Sequence, residues 1–152
     1  MTTRRKALSL LVALALAGCA APPKAEPAAA PEVPSVLPAD LPRDGVASHD
    51  GAYFVAFAAR PAPIPPNSEF ALDVAVFSPD RASLAAGVTL AVDATMPEHG
   101  HGMNVTPRVT PLGPGRFRVE GLLFHMAGRW EIAFDVTRDA VTERAHATVE
   151  ID

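Results

Sequence analysis

The sequence predicts an all-β sandwich of about seven short strands, and three observations carry that prediction. From residue 52 onward apolar residues recur at every second position, the period of a half-buried strand. The runs are short and are punctuated by Pro, Gly, Ser and Asp, the residues of turns. Strands with one apolar face need a second layer, and no strand-helix alternation is present to cover them with helices. A small barrel with strands of similar length would show the same alternation.

The first strand spans residues 52–59, where Tyr53, Val55 and Phe57 alternate, and the proline-rich turn at 61–66 ends it. Residues 70–77 form the second, with Phe70, Leu72, Val74 and Val76 on one face and Asp73 on the other. Ser78, Pro79 and Asp80 then supply turn chemistry, and 81–86 has a brief helical pattern. Val88, Leu90, Val92 and Ala94 mark a third strand, and 105–109 a short fourth. Gly113, Pro114 and Gly115 lead into a fifth, in which Phe117 and Val119 alternate with Arg116, Arg118 and Glu120. The sixth has Trp130, Ile132, Phe134 and Val136 on one side, opposed by Arg129, Glu131, Ala133 and Asp135. Ala145, Ala147, Val149 and Ile151 line the last.

Upstream of the domain (51–152) the composition changes twice. Residues 1–18 read as a lipoprotein export signal: Arg4, Arg5 and Lys6 precede an apolar run too short to span a bilayer, closed by Leu16, Ala17, Gly18 and Cys19. That ending resembles the lipobox of bacterial lipoprotein precursors, which implies cleavage before Cys19, a thioether link from its sulfur to diacylglycerol and attachment to the lipid bilayer. Ala20 resembles an outer-membrane address, so the resemblance implies a periplasmic-face location. Residues 19–50 read as a disordered Pro/Ala-rich tether, with Pro22, Pro23, Pro27, Pro31, Pro34, Pro38 and Pro42 blocking helix and sheet alike.

Charge narrows the partners. Removing the signal takes three of the 13 basic residues and none of the 17 acidic ones, moving the formal net charge from −4 to −7. No basic cluster survives, which argues against nucleic acid. Cys19 is the only cysteine, so no intramolecular disulfide is available.

Chemistry-bearing residues gather in two segments, Met96-Pro97-Glu98-His99-Gly100-His101-Gly102-Met103 and Phe124-His125-Met126. Together they hold all three methionines beyond the initiator and three of the five histidines. Imidazole and thioether form a ligand set suited to copper, and the soft sulfur favours Cu(I). His99, His101 and Met103 are spaced by two, so an extended segment would aim them to one side. His125 and Met126 are adjacent and both become ligands only if the chain turns there. Without a turn, Met126 shares parity with Phe124 and belongs to the core. Met96 continues the inward parity of Leu90, Val92 and Ala94, which makes it either an additional ligand or core. His49 and His146 have no supporting neighbours and are left outside the site.

The motifs from Met96 to Met103 and from Gly121 through Phe124, Met126 and Gly128 to Trp130 resemble those of the YtkA-like domain, an exported module related to parts of FixH-type proteins. The resemblance covers about residues 51–151. It implies an immunoglobulin-like sandwich outside the cytoplasm, with links to copper handling or haem-copper oxidase assembly. Its motif residues correspond to Met96, His99, His101, Met103 and Met126, with His125 added on chemical grounds.

No Gly-x-Ser-x-Gly segment, phosphate loop or nucleophilic cysteine points to an enzyme. The expectation is a membrane-tethered copper-binding module for delivery, buffering or oxidase assembly, with an envelope copper protein or oxidase assembly factor as partner. The alternative is a metal-free interaction domain that supports an envelope complex.

Overall fold

The structure, a computed structural model, describes residues 39–152. The signal segment, Cys19 with its lipidation, and the tether up to residue 38 lie outside the described residues. Among the described residues no helix is long and apolar enough to cross a membrane.

Nine strands occur among them: β1 (Gly45–Ala47), β2 (Phe54–Arg60), β3 (Glu69–Phe77), β4 (Thr89–Met96), β5 (His101–Gly102), β6 (Arg108–Gly113), β7 (Arg116–Leu123), β8 (Gly128–Arg138) and β9 (Val141–Ile151). They form two antiparallel sheets, ordered β1-β2-β3-β7-β6 and β5-β4-β8-β9. With the two shortest strands set aside, the sheets hold four and three strands in the immunoglobulin order. β1 extends one edge of the larger sheet, and β5 extends the smaller sheet beside β4. The sheets touch at one margin through a single bridge between Ser48 and Ala145, so the architecture is a sandwich and not a closed barrel.

The period-two pattern is cleanest where both neighbours are paired. On β8, Trp130, Ile132, Phe134 and Val136 are all fully buried, and on β4 every second residue from Leu90 to Met96 is buried. These meet Leu72, Val74, Val76, Phe117 and Val119 from the opposing sheet in one core. Burial of each large apolar side chain contributes roughly 1.5–3 kcal/mol.

Several expectations shift. β1 lies inside the segment read as tether, and Leu41, also upstream of residue 51, is buried in a second cluster with Phe54, Ala56, Ala75 and Phe77. The start of β2 is therefore buried on both faces. The short fourth strand falls at Arg108–Gly113 instead of 105–109, since Pro107 lacks the N–H needed to carry the ladder upstream. Pro111 is tolerated because β6 is an edge strand. Residues 81–86 form no helix. Asp80 Oδ1 accepts from the Ser78 hydroxyl at 2.6 Å and from the Ala82 N–H at 3.0 Å, a local side-chain network that competes with helical bonds.

One irregularity positions the site. Along β7 the register jumps from Ala71↔Glu120 to Phe70↔Leu122, leaving Gly121 unpaired with φ +77°. This bulge switches the inward parity from Phe117 and Val119 to Leu122 and Phe124. The chain then leaves the sheet at Leu123, and Phe124 to Ala127 pass irregularly over to β8.

Candidate functional site

The two motif segments meet at one end of the sandwich. β4 ends at Met96, the chain reverses through 97–100, and β5 returns with His101 opposite Met96 and Gly102 opposite Thr95. The reversal is tight because the N–H groups of His99 and Gly100 both donate to the Met96 carbonyl, at 3.1 and 2.9 Å, and Gly100 adopts φ +69°. Thr95 also pairs with Glu131, so Trp130 lies one step further along β8, beside Met96 and on the same inner face. An ion pair of 2.8 Å between Glu98 and Arg129 ties the reversal to β8 from outside.

His125 arrives from the opposite sheet. Phe124 stacks on Trp130 with centroids 4.5 Å apart and planes 10° from parallel, and meets Phe70 edge-on at 4.9 Å. Its carbonyl accepts from Asn67 N–H at 2.8 Å. Immediately beyond it, the His125 ring lies 5.5 Å from the Trp130 ring and 5.2 Å from that of His101. His101 lies 6.1 Å from Trp130 and 5.7 Å from His99. The three imidazoles thus form a row on an aromatic floor, from exposed His99 to half-buried His101 and His125.

Hydrogen bonding differs along the row. His101 Nδ1 is 3.3 Å from the carbonyl of Gly102, a long contact. His125 Nδ1 is buried and has no hydrogen-bond partner. A buried ring nitrogen without a partner costs about 1–3 kcal/mol, so this atom calls for an explanation.

The methionines separate. Met96 is 1% exposed and belongs to the core, where its Cε would meet a Cβ placed on Gly128 at 3.1 Å. Met103 is half-buried against the core flank and lines a surface depression with Val92, Asp93, Val105, Thr106 and Pro107. Met126 is 38% exposed, so of the two cases its spacing from Phe124 left open, a turn or a place in the core, the core is ruled out. The strand has ended by residue 123, so alternation no longer governs: His125 turns toward the histidine row and Met126 outward. His99 is likewise in the turn and not on an extended strand with His101 and Met103.

Among the described residues, no three or more His, Cys, Asp or Glu side chains already gather their donor atoms into a metal shell. Imidazoles sharing an ion at metal–nitrogen distances of about 2.0–2.1 Å have centroids roughly 5–6.5 Å apart, and both neighbouring pairs in the row fall in that range.

Two features of the site lay beyond the sequence reading: the Trp130 floor and the Glu98–Arg129 tie. The first had a signal, since a buried indole N–H needs an acceptor. His49 and His146 lie apart, lining another open depression with Ala47 and Arg144.

No known protein family matches the chain, and no curated protein does. Two solved structures of FetP from a uropathogenic Escherichia coli strain are similar in outline. One is a copper-bound variant, 8% identical with a TM-score of 0.47, covering 73% of this chain and 96% of FetP. The other is the as-isolated protein, 8% identical with a TM-score of 0.42, covering 66% of this chain and 87% of FetP. The resemblance to the YtkA-like domain accordingly stands on its motifs alone.

Proposed function

We propose that the chain is a copper-binding module of the cell envelope, holding one ion between His99, His101 and His125 at the end of its sandwich. The observation that carries this reading is the buried, unpartnered Nδ1 of His125, set in a row of three imidazoles. A metal ion is a partner that a ring nitrogen accepts without a donor hydrogen, which removes the cost of leaving that atom bare. Met126 at the rim, or Met103 on a rearranged turn, supplies the thioether that favours Cu(I) over zinc. Exposed His99 gives the ion an exchange route, which suits delivery, buffering or oxidase assembly better than catalysis. The lipobox-like ending at Cys19 supports an anchored envelope location.

The test is a competition titration with a calibrated chromogenic chelator under anaerobic, reducing conditions. The full chain carries Cys19→Ser so that no thiol competes. About one Cu(I) per chain is expected, and His99→Ala/His101→Ala should weaken binding by two orders of magnitude or more, roughly, while leaving the apo unfolding midpoint near wild type. A double variant that binds normally, or a wild type with no preference for copper over zinc, contradicts the proposal and leaves a metal-free interaction domain.

A further inference from the structure

We infer that Trp130 is the positioning residue of this centre: its indole N–H and ring hold His125 against His101, and the copper shell depends on that hold. The inference rests on the copper reading proposed above.

Four interactions converge on the indole. Phe124 stacks on it, His101 and His125 meet it at interplanar angles of 71° and 76°, and its Nε1 donates to the Met126 carbonyl at 3.0 Å. Trp130 is fully buried, so its single donor has to be satisfied inside the protein. The acceptor that satisfies it is the carbonyl of Met126, the residue after His125. The carbonyl just before His125, that of Phe124, accepts from Asn67 N–H. The peptide entering the histidine and the peptide that follows Met126 are therefore both pinned, which brackets His125 in a connection that lies outside the strands.

The consequence is geometric. His101 reaches the row on β5 and His125 on the connection between β7 and β8, from opposite sheets. Trp130 meets both rings and fastens the backbone of the residue after the second. Without the N–H, the Met126 carbonyl is free to turn toward solvent, and the bracket around His125 is left fastened at its Phe124 side alone. The loss falls on the ring facing His101 and not on the core, since Phe124 keeps its stack.

The test separates the N–H from the ring. In the full chain carrying Cys19→Ser, Trp130 is replaced by 3-benzothienylalanine, which keeps the fused ring and substitutes sulfur for N–H. Cu(I) competition and the electron paramagnetic resonance spectrum of the Cu(II) form are measured beside circular dichroism of the apo protein. The account expects a folded chain whose copper affinity falls by about 10- to 100-fold, as for other groups that orient a ligand, with altered Cu(II) hyperfine coupling. Adding His125→Ala should then cost no more than His125→Ala costs alone, because Trp130 acts through that ring. Wild-type affinity and spectrum in the isostere, or losses that simply add, overturn the inference. If His99→Ala/His101→Ala weakens binding while the isostere binds like wild type, the copper reading stands and only the role of Trp130 falls. If the histidine double variant binds normally, the copper reading itself falls.

Discussion

Two histidine-bearing regions of this small domain make opposite uses of the same side chain. On the outer face of the smaller sheet, His146 stands opposite Ala133, and its Nδ1 contacts the Glu131 carboxylate. At the sandwich end, His125 has a buried Nδ1 with no partner and the His101 ring 5.2 Å from its own. The first ring is satisfied and half in water, as surface histidines on strands usually are. The second is held in place by surrounding structure and left chemically open. A histidine becomes a candidate ligand through what its neighbours withhold as much as through what they provide.

That contrast can be broken at its foundation. Trp130→Ala removes the aromatic floor beneath His101 and His125, and a fully buried ring of that size should cost about 3–5 kcal/mol. Glu131→Ala, one residue away on the outer face, should stay within about 0.5 kcal/mol although it strips His146 of its carboxylate. Chemical denaturation of both variants measures the difference. Near-equal effects would mean that the two faces of β8 are not energetically distinct.

A smaller effect is expected at Gly128→Ala. Gly128 has φ +119°, and an added Cβ would lie 3.1 Å from Met96 Cε, the flexible end of a side chain. Backbone strain of about 1–3 kcal/mol should result, with little steric penalty beyond it. Relieving the contact with Met96→Leu should therefore recover only a minor part of the loss in the same denaturation experiment.

The smallest effect belongs to the outer face. Arg144 donates from Nε and Nη2 to the two oxygens of Asp135, both at 2.6 Å, and this hydrogen bonding holds the Asp135 carboxyl below the ordinary value of 3.8. A depressed carboxyl contributes stability above its unfolded-state value and loses it as pH falls through the folded one. With Arg144 largely exposed, the contribution stays within about 1 kcal/mol. Asp135→Asn should therefore lower the urea midpoint slightly at neutral pH, with the gap to wild type closing on acidification to about pH 3.

How far the sequence reveals this molecule depends on the length of each pattern. The eleven-residue β8, with four inward residues from Trp130 to Val136, is unmistakable, and so is the inward parity that carries Met96 into the core. β1 and β5 have three and two residues, too few for alternation to register. The bulge at Gly121 is a matter of backbone pairing, and it shifts every parity after it. β7 ends at Leu123, before Phe124, which is why the parity that Met126 shares with Phe124 does not carry it into the core. At the site, the chemistry of His99, His101 and His125 is legible from composition, and their meeting follows from the sheet order. The place of Met103 in a surface depression with Val92 and Val105 is not legible, because residues 103–107 follow no regular period.

The measurement that bears most directly on the central claim compares His125→Ala with His146→Ala, each in the full chain carrying Cys19→Ser, by anaerobic Cu(I) competition. The account predicts that loss of the unpartnered histidine weakens binding by at least about tenfold, while loss of the carboxylate-paired one changes it less than about twofold. Equal affinities in the two variants would contradict it.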